Sequence, residues 1–212
     1  MMWPISANFL KTQREKVSPT SKKTSQMDSV NDQSVVWAID PVHSRIRFDA
    51  RYLLISNVSG WFSDFEGTVQ CPGDGFDHCR IRVAIYTHSI YTGNEQRDGH
   101  LRSADFFDAA RFPVIGFHSE GVNLLEDHQL VIDGVISIRG IQRRQRVSAT
   151  WTGTVPDPMG NLKAGFTLAL VLDRREFDLS WNQTFDKAGI LLSDEIHLQA
   201  DIQLLRLTSP EQ

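Results

Sequence analysis

The sequence predicts an all-β protein, an elongated antiparallel β-barrel of about eight strands with one or two short helices. Three observations carry this. From Val35 onward the apolar residues recur with period two, the mark of half-buried antiparallel strands. Gly- and Pro-rich clusters (PGDG at 72–75, Gly140, PDPMGN at 156–161) separate the runs as hairpin turns would. The runs are also long, roughly 10–14 residues against the usual ~5–6. At ~3.3 Å per residue the longest would reach ~45 Å before tilt and twist shorten it. Long strands must pair as a sandwich or close into a barrel to bury one face and protect their edges. About eight strands suit a barrel wide enough for a single ligand. An interior filled completely by its own side chains, as in a sandwich core, stays open at this level.

Taken in order, the first run is HSRIRFDARYL, with Ser44, Ile46, Phe48, Ala50 and Tyr52 on one face and Arg45, Arg47, Asp49 and Arg51 on the other. CRIRVAIYTHS sets Ile81, Val83 and Ile85 against Arg80 and Arg82. HQLVIDGVISIRG groups Leu130, Ile132, Ile136 and Ile138, and RVSATWTGT groups Val147, Ala149 and Trp151. LKAGFTLALVLD puts Leu162, Ala164, Phe166, Leu168, Leu170 and Leu172 on one side. SDEIHLQADIQLLR aligns Ile196, Leu198, Ala200, Ile202 and Leu204 against polar neighbours that include His197, a surface residue on this reading. His118 is expected to be exposed, and His43 to be a hydrogen-bonded structural residue after a turn.

The segment that breaks the period is RDGHLRSADFF, residues 97–107. Asp98 is suited to cap a short helix through Gly99–Arg102, with Ser103 capping a second turn over ADFFDAA that ends before Pro113. Leu101, Ala104 and Phe107 would then face the sheet.

A hydrophobic fraction of 41% with 23% charged residues is ordinary for one folded domain. The net charge is −4, with five Lys/Arg against three Asp/Glu in residues 1–34, so residues 35–212 are mildly acidic. That excludes the concentrated basic surface nucleic acid requires. The one basic cluster, RGIQRRQR (139–146), reads as a solvated turn. The domain reading is a polar, disordered N-terminal tail (1–34), one β-barrel domain (35–207) and a short C-terminal tail (208–212). No run approaches the ~18–20 apolar residues of a spanning helix. The opening residues have neither the basic n-region nor the apolar h-region of a signal peptide, so the expectation is cytoplasmic. Cys71 and Cys79 flank PGDGFDH, and His78 is adjacent. Free thiols are the preferred reading, ahead of a cross-hairpin disulfide and of a metal site, which lacks paired zinc spacings.

No nucleophile elbow, P-loop, GxGxxG or HExxH occurs. The histidines are scattered, and no cofactor or metal is expected. A capping or rim role for His100 outweighs catalysis.

Seven motifs in order resemble one family. They are W-x-I-D-x-x-H-S-x-I-x-F (Trp37–Phe48), S-G-x-F-x-x-F-x-G (Ser59–Gly67), R-D-x-H-L-R-S-x-D-F-F-D (Arg97–Asp108), F-P-x-I-x-F-x-S (Phe112–Ser119), I-R-G (Ile138–Gly140), G-F-x-L-x-L-x-L-D-R-x-x-F (Gly165–Phe177) and Trp181. Together these resemble the YceI-like family of lipocalin-like polyisoprenoid-binding proteins, across about residues 35–205. The resemblance implies an elongated barrel with a long isoprenoid-type lipid along its axis, such as a polyprenyl phosphate or a quinone tail. It implies binding, for storage, shielding or transport, and not catalysis. Family members are often exported, which makes the periplasm the alternative compartment. The candidate tunnel lining is Phe48, Tyr52, Phe62 and Phe65 from the first strands, with Ile85, Phe106, Phe107 and Phe117 after them. Phe166, Leu168, Leu170 and Trp181 complete it. Arg97, His100, Arg102 and Ser119 are the candidate rim, with Arg97 and Arg102 equally suited to pairing with Asp98, Asp105 or Asp108. Transient membrane contact and a homodimer are compatible with this reading. Two other readings stand beside it: an enzyme using His100 with Asp98 or Asp105 at the barrel mouth, and a stress-linked or respiratory accessory protein acting through its acidic surface.

Overall fold

A computed structural model describes residues 34–53, 55–182, 184–185, 189–190 and 192–207. The expected tails, 1–34 except Ser34 and 208–212, lie outside the described residues. Three bent strands open the barrel. β1 (Val35–Ile39) continues into β2 (Arg45–Tyr52), β3 (Ser56–Phe62) into β4 (Phe65–Cys71), and β5 (Arg80–Tyr86) into β6 (Ile90–Tyr91). After helix α1 (Glu95–Arg102) come β7 (Val114–Leu124), β8 (Gln129–Ile138), β9 (Ile141–Pro156) and β10 (Leu162–Asp173). A two-residue hairpin, β11 (Thr184–Phe185) with β12 (Gly189–Ile190), precedes the last strand, β13 (Leu192–Leu207).

All pairings are antiparallel. Each strand pairs with its neighbour in sequence, and β13 closes the ring by pairing with both β2 and β1. The result is a closed eight-strand antiparallel barrel, as the period-two pattern predicts, with one α-helix among the described residues. Register explains why the alternation was legible. Leu168 faces Ala149 on one side and Ala200 on the other, so the apolar members of three strands fall on one face. β-bulges at Gly165/Phe166, Ser119/Gly121 and Leu192/Ile196 bend the strands as closure requires.

The connections divide between two ends. At one end lie the Cys71–Cys79 loop and the β7–β8 and β9–β10 turns. At the other, the mouth, lie the β2–β3 turn, α1 with the turns that follow it, the β8–β9 turn, and residues 174–182. The β8–β9 turn has only two residues, Arg139 (φ 51°) and Gly140 (φ 75°). Both in the left-handed region make the type I′ geometry that matches strand twist. RGIQRRQR is therefore not a loop: six of its eight residues open β9, where Arg144 pairs with Glu120 and Arg146 with Asp133.

Two further expectations are corrected. The helix starts earlier than expected, with Asn94 as its cap accepting from Arg97 N at 2.9 Å. Asp98 lies inside the helix, and Ser103 ends it by donating to the His100 carbonyl at 2.8 Å. No second helix follows; residues 104–107 form turns. Cys71 and Cys79 are joined as a disulfide, and both are buried. The period-two reading could place them across a hairpin but not show whether their side chains meet.

Candidate functional site

The barrel interior contains two cavities that meet at a ring formed by Ile85, Ile136 and Leu198. The larger, about 730 Å³, opens at the mouth. The smaller, about 180 Å³, lies toward the disulfide end and has a purely apolar lining. The larger cavity draws on Phe48, Tyr52 and Phe62 from the first two bent strands, Ile85 from β5, and Phe106, Phe107 and Trp181 from the mouth segments. Phe117, Phe166, Leu168 and Leu170 line the smaller one, together with Ile85 again. Phe65 was expected with them. It is buried in the core beside the cavities and lines neither.

The aromatic lining is set by close backbone packing. Gly60 faces Phe48 across the β2–β3 ladder, and a methyl group there would lie 2.8 Å from Thr92 Cγ2 and closer still to the Phe48 ring. Only glycine leaves room for that ring to lie flat against β3. Phe62 then meets Phe107 edge-on, with centroids 6.1 Å apart.

Polar groups gather at one place on this wall. Asn94, Gln96, Arg97 and His100 of the α1 region line the large cavity beside its apolar surface. Arg97 is held by Thr92, donating from Nε to Oγ1 at 2.7 Å and from the second guanidinium nitrogen to the Thr92 carbonyl at 2.8 Å. Asp98, 3% exposed, accepts from the same threonine through its backbone N–H (2.9 Å) and its hydroxyl (2.5 Å). The expected pairing of Arg97 with Asp98, Asp105 or Asp108 is thus replaced by a shared threonine. Sequence gave no sign of it, because Thr92 precedes the helix and lies outside the motif.

His100 is tied to Asp105 rather than Asp98, with Nε2 2.9 Å from Oδ2. Its ring stands perpendicular to Trp181, centroids 4.6 Å apart, and packs against Phe106. Two segments distant in sequence therefore meet across the mouth. Their juncture is a T-shaped contact between the imidazole and the indole.

The other two rim candidates lie elsewhere. Arg102 donates to the His88 carbonyl at 3.3 Å and does not line the cavity. Ser119 sits at the β7 bulge, where its hydroxyl accepts from Ile81 N at 2.8 Å. That hydroxyl replaces a ladder partner the bulge removes, a fixed structural task.

The sequence reading missed Arg174, the residue that holds the other side of the mouth. It follows the last alternating position of β10 and lines the large cavity at 4% exposure. Its five N–H groups meet five acceptors: the carbonyls of Ser193, Leu179, Trp181 and Leu192, and Asp194 Oδ1 at 3.1 Å. Burial pulls its pKa down, while Asp194 and Asp173 oppose that shift. The guanidinium spans the short 3-10 turn Arg174–Phe177, the loop bearing Trp181 and the start of β13. No group of three or more metal-ligating side chains occurs among the described residues.

A model of the YceI-like domain matches residues 37–204, the whole barrel. The chain belongs to the YceI-like domain family. A UPF0312 protein of Staphylococcus aureus is 27% identical over 168 residues, spanning 79% of this chain and 95% of its own. Among solved structures, this YceI-like barrel is similar to the Campylobacter jejuni YCEI protein (26% identity, TM-score 0.63, 74% of this chain and 90% of that one). It shares its fold with Burkholderia cenocepacia BcnA (17% identity, TM-score 0.68, 78% and 98% covered). It also shares it with a polyisoprenoid-binding domain from Saccharophagus degradans (12% identity, TM-score 0.61, 81% and 98% covered).

Proposed function

We propose that this YceI-like barrel binds one long apolar isoprenoid-type lipid, tail inward and head group at the α1 wall, and stores, shields or carries it without chemical change. The observation that carries this reading is the large mouth cavity, mostly apolar, with polar side chains gathered at the α1 wall and the fully hydrogen-bonded Arg174 opposite. Such a site suits an amphiphile with a small head group. At about 30 Å³ for each water-sized group, the large cavity holds roughly 24 carbons and the small one about six more. Burying ~24 carbons at ~0.8 kcal/mol each would reach the ceiling of observed affinities if water were the reference. The lipid leaves a membrane, however, so two apolar media compete, and fit and head group set the balance.

The head-group corner carries little charge. Arg97 is compensated by buried Asp98, and His100 is paired with Asp105. Among the described residues, one Arg97 guanidinium nitrogen makes no hydrogen bond, and the Asn94 and Gln96 amides flank it. That set fits a head group with one or two acceptor oxygens, a quinone carbonyl or a single phosphate, better than a polyanion. Buried disulfide Cys71–Cys79 suits an oxidising compartment such as a periplasm.

Displacement of a fluorescent apolar probe tests the reading. A prenyl quinone should displace it saturably at one per barrel. Arg97→Gln should weaken that competitor several-fold while leaving a head-group-free hydrocarbon unaffected. Equal loss for both competitors, or no displacement at all, contradicts the assignment.

A further inference from the structure

At the disulfide end of the barrel one loop side chain reaches the small cavity. Phe76 sits midway in the loop between Cys71 and Cys79, yet it is 2% exposed and lines the small cavity. A phenylalanine in a loop of Pro, Gly and Asp is expected at the surface; this one points back into the barrel. Three aromatic rings from three strands receive it. Phe166 lies edge-on at 4.8 Å, Trp151 edge-on at 5.3 Å, and Trp37 tilted at 5.3 Å. Together these four rings pack as one cluster at the end of the small cavity, with Phe76 and Phe166 on its wall.

The loop has little freedom to withdraw that ring. The Cys71–Cys79 bridge ties its two ends, and Cys79 itself lines the small cavity. His78 N donates to the Val122 carbonyl at 3.0 Å, and Asp77 Oδ1 accepts from Leu124 N at 2.9 Å, so β7 holds the loop as well. A bridge, two hydrogen bonds and an aromatic cage fix one ring at one depth.

We infer that Phe76, anchored by the Cys71–Cys79 bridge, is the stop that sets the longest isoprenoid tail the barrel can swallow. This rests on the lipid-binding reading and deepens it by assigning a length limit. The two cavities together accommodate about 30 carbons, or about six isoprene units, on the same volume per group. Units beyond that must stay outside the mouth and gain nothing from the barrel. Removing the six-carbon ring of Phe76 should admit about one more unit. Filling the small cavity from its wall at Leu168 should exclude about one.

The test is a series of prenyl alcohols from three to nine isoprene units, each competing for the same fluorescent probe. For the wild type, affinity should rise with length and level off near six units. In Phe76→Ala the plateau should move out by about one unit, and in Leu168→Trp it should move in by about one. Phe76→Leu, a milder change, should fall between wild type and Phe76→Ala, and a cooperative thermal transition checks that each variant is folded. The double variant Cys71→Ser/Cys79→Ser should blur the plateau toward longer tails, because the stop is then held by packing and β7 alone.

A plateau that stays at the same length in both folded Phe76 variants overturns the stop. A double cysteine variant with an unchanged plateau overturns the part assigned to the bridge. A wild type that binds no prenyl alcohol of any length instead overturns the lipid-binding reading beneath it, so the failures are distinguishable.

Discussion

Replacing Arg174 by methionine should cost about 3 kcal/mol, and the structure shows where that loss arises. Five acceptors lose their donors at once: four backbone carbonyls and the Asp194 carboxylate. Removing one member of a buried, hydrogen-bonded charge pair costs ~3–5 kcal/mol when the remaining charge has no other partner. Here Asp194 keeps Arg175, whose guanidinium lies 3.3 Å from Oδ2, and it is 26% exposed, so the ionic part falls at the low end. The carbonyls of Leu179 and Trp181 lie beside the cavity, where water can partly replace the lost donors. Methionine keeps most of the buried stem, which confines the effect to the guanidinium. For a domain of this size each kcal/mol moves the melting temperature by ~2–4 °C, so the variant should melt ~6–12 °C lower. Lysine should rescue little, since one ammonium has three donors and no planar fork for acceptors on several sides. The loop that bears Trp181 should loosen as well, and bound lipid should leave faster. Thermal unfolding by circular dichroism and probe off-rates by stopped flow read the two effects. A melting shift under ~2 °C, or full rescue by lysine, would refute the view of Arg174 as the pin of the mouth.

Other consequences concern charge and covalent closure. Asp40 is half-buried beside Lys163, and burial raises its pKa. The hydrogen bonds from Lys163 at 2.8 Å and His43 at 2.9 Å outweigh that and hold it at about 2. Its folded pKa lies below the unfolded value of ~3.9. The contribution, up to about 2.6 kcal/mol, is therefore complete above about pH 5 and lost as pH falls through about 2. Urea unfolding of wild type and Asp40→Asn should show a gap at pH 7 that closes near pH 2; a gap independent of pH contradicts the linkage. Opening the Cys71–Cys79 bridge should cost about 2.5 kcal/mol from loop-closure entropy over eight residues. Thermal melts with and without a reductant should differ by ~5–10 °C. An unchanged melting temperature, with thiol release verified, would show the loop to be held by packing alone.

How much of this was legible in the sequence depended on the range of the interaction. The barrel was, because each strand states its own inward face: Ile46, Ala50, Leu172 and Ala200 are buried where alternation places them. The cavity wall follows from the same period, since a residue that points inward in a closed sheet meets either a cavity or the core. Phe65 shows the limit, because alternation cannot distinguish those two fates. The polar corner was legible only in outline. Arg97 and His100 were identified, and Asp105 was one of the two partners weighed for His100, but Thr92 and Trp181 come from other segments whose meeting with the helix the barrel decides. Arg174 stands in the motif Gly165–Phe177 but was given no role, because its five acceptors are mostly backbone carbonyls, which leave no mark on sequence. Asp40 and Lys163 are 123 residues apart and join only when β13 lies between their strands. The helix start was misplaced because Asp98 and Asn94 are both good caps, and packing against Thr92 settled which of them caps.

Native mass spectrometry of protein purified from cells that make isoprenoids, followed by organic extraction, bears most directly on the central claim. The account predicts a mass increment for one lipid per barrel, released into the solvent as a chain of several isoprene units with a small oxygen-bearing head group. A protein that is consistently empty and takes up no prenyl quinone on incubation would contradict it.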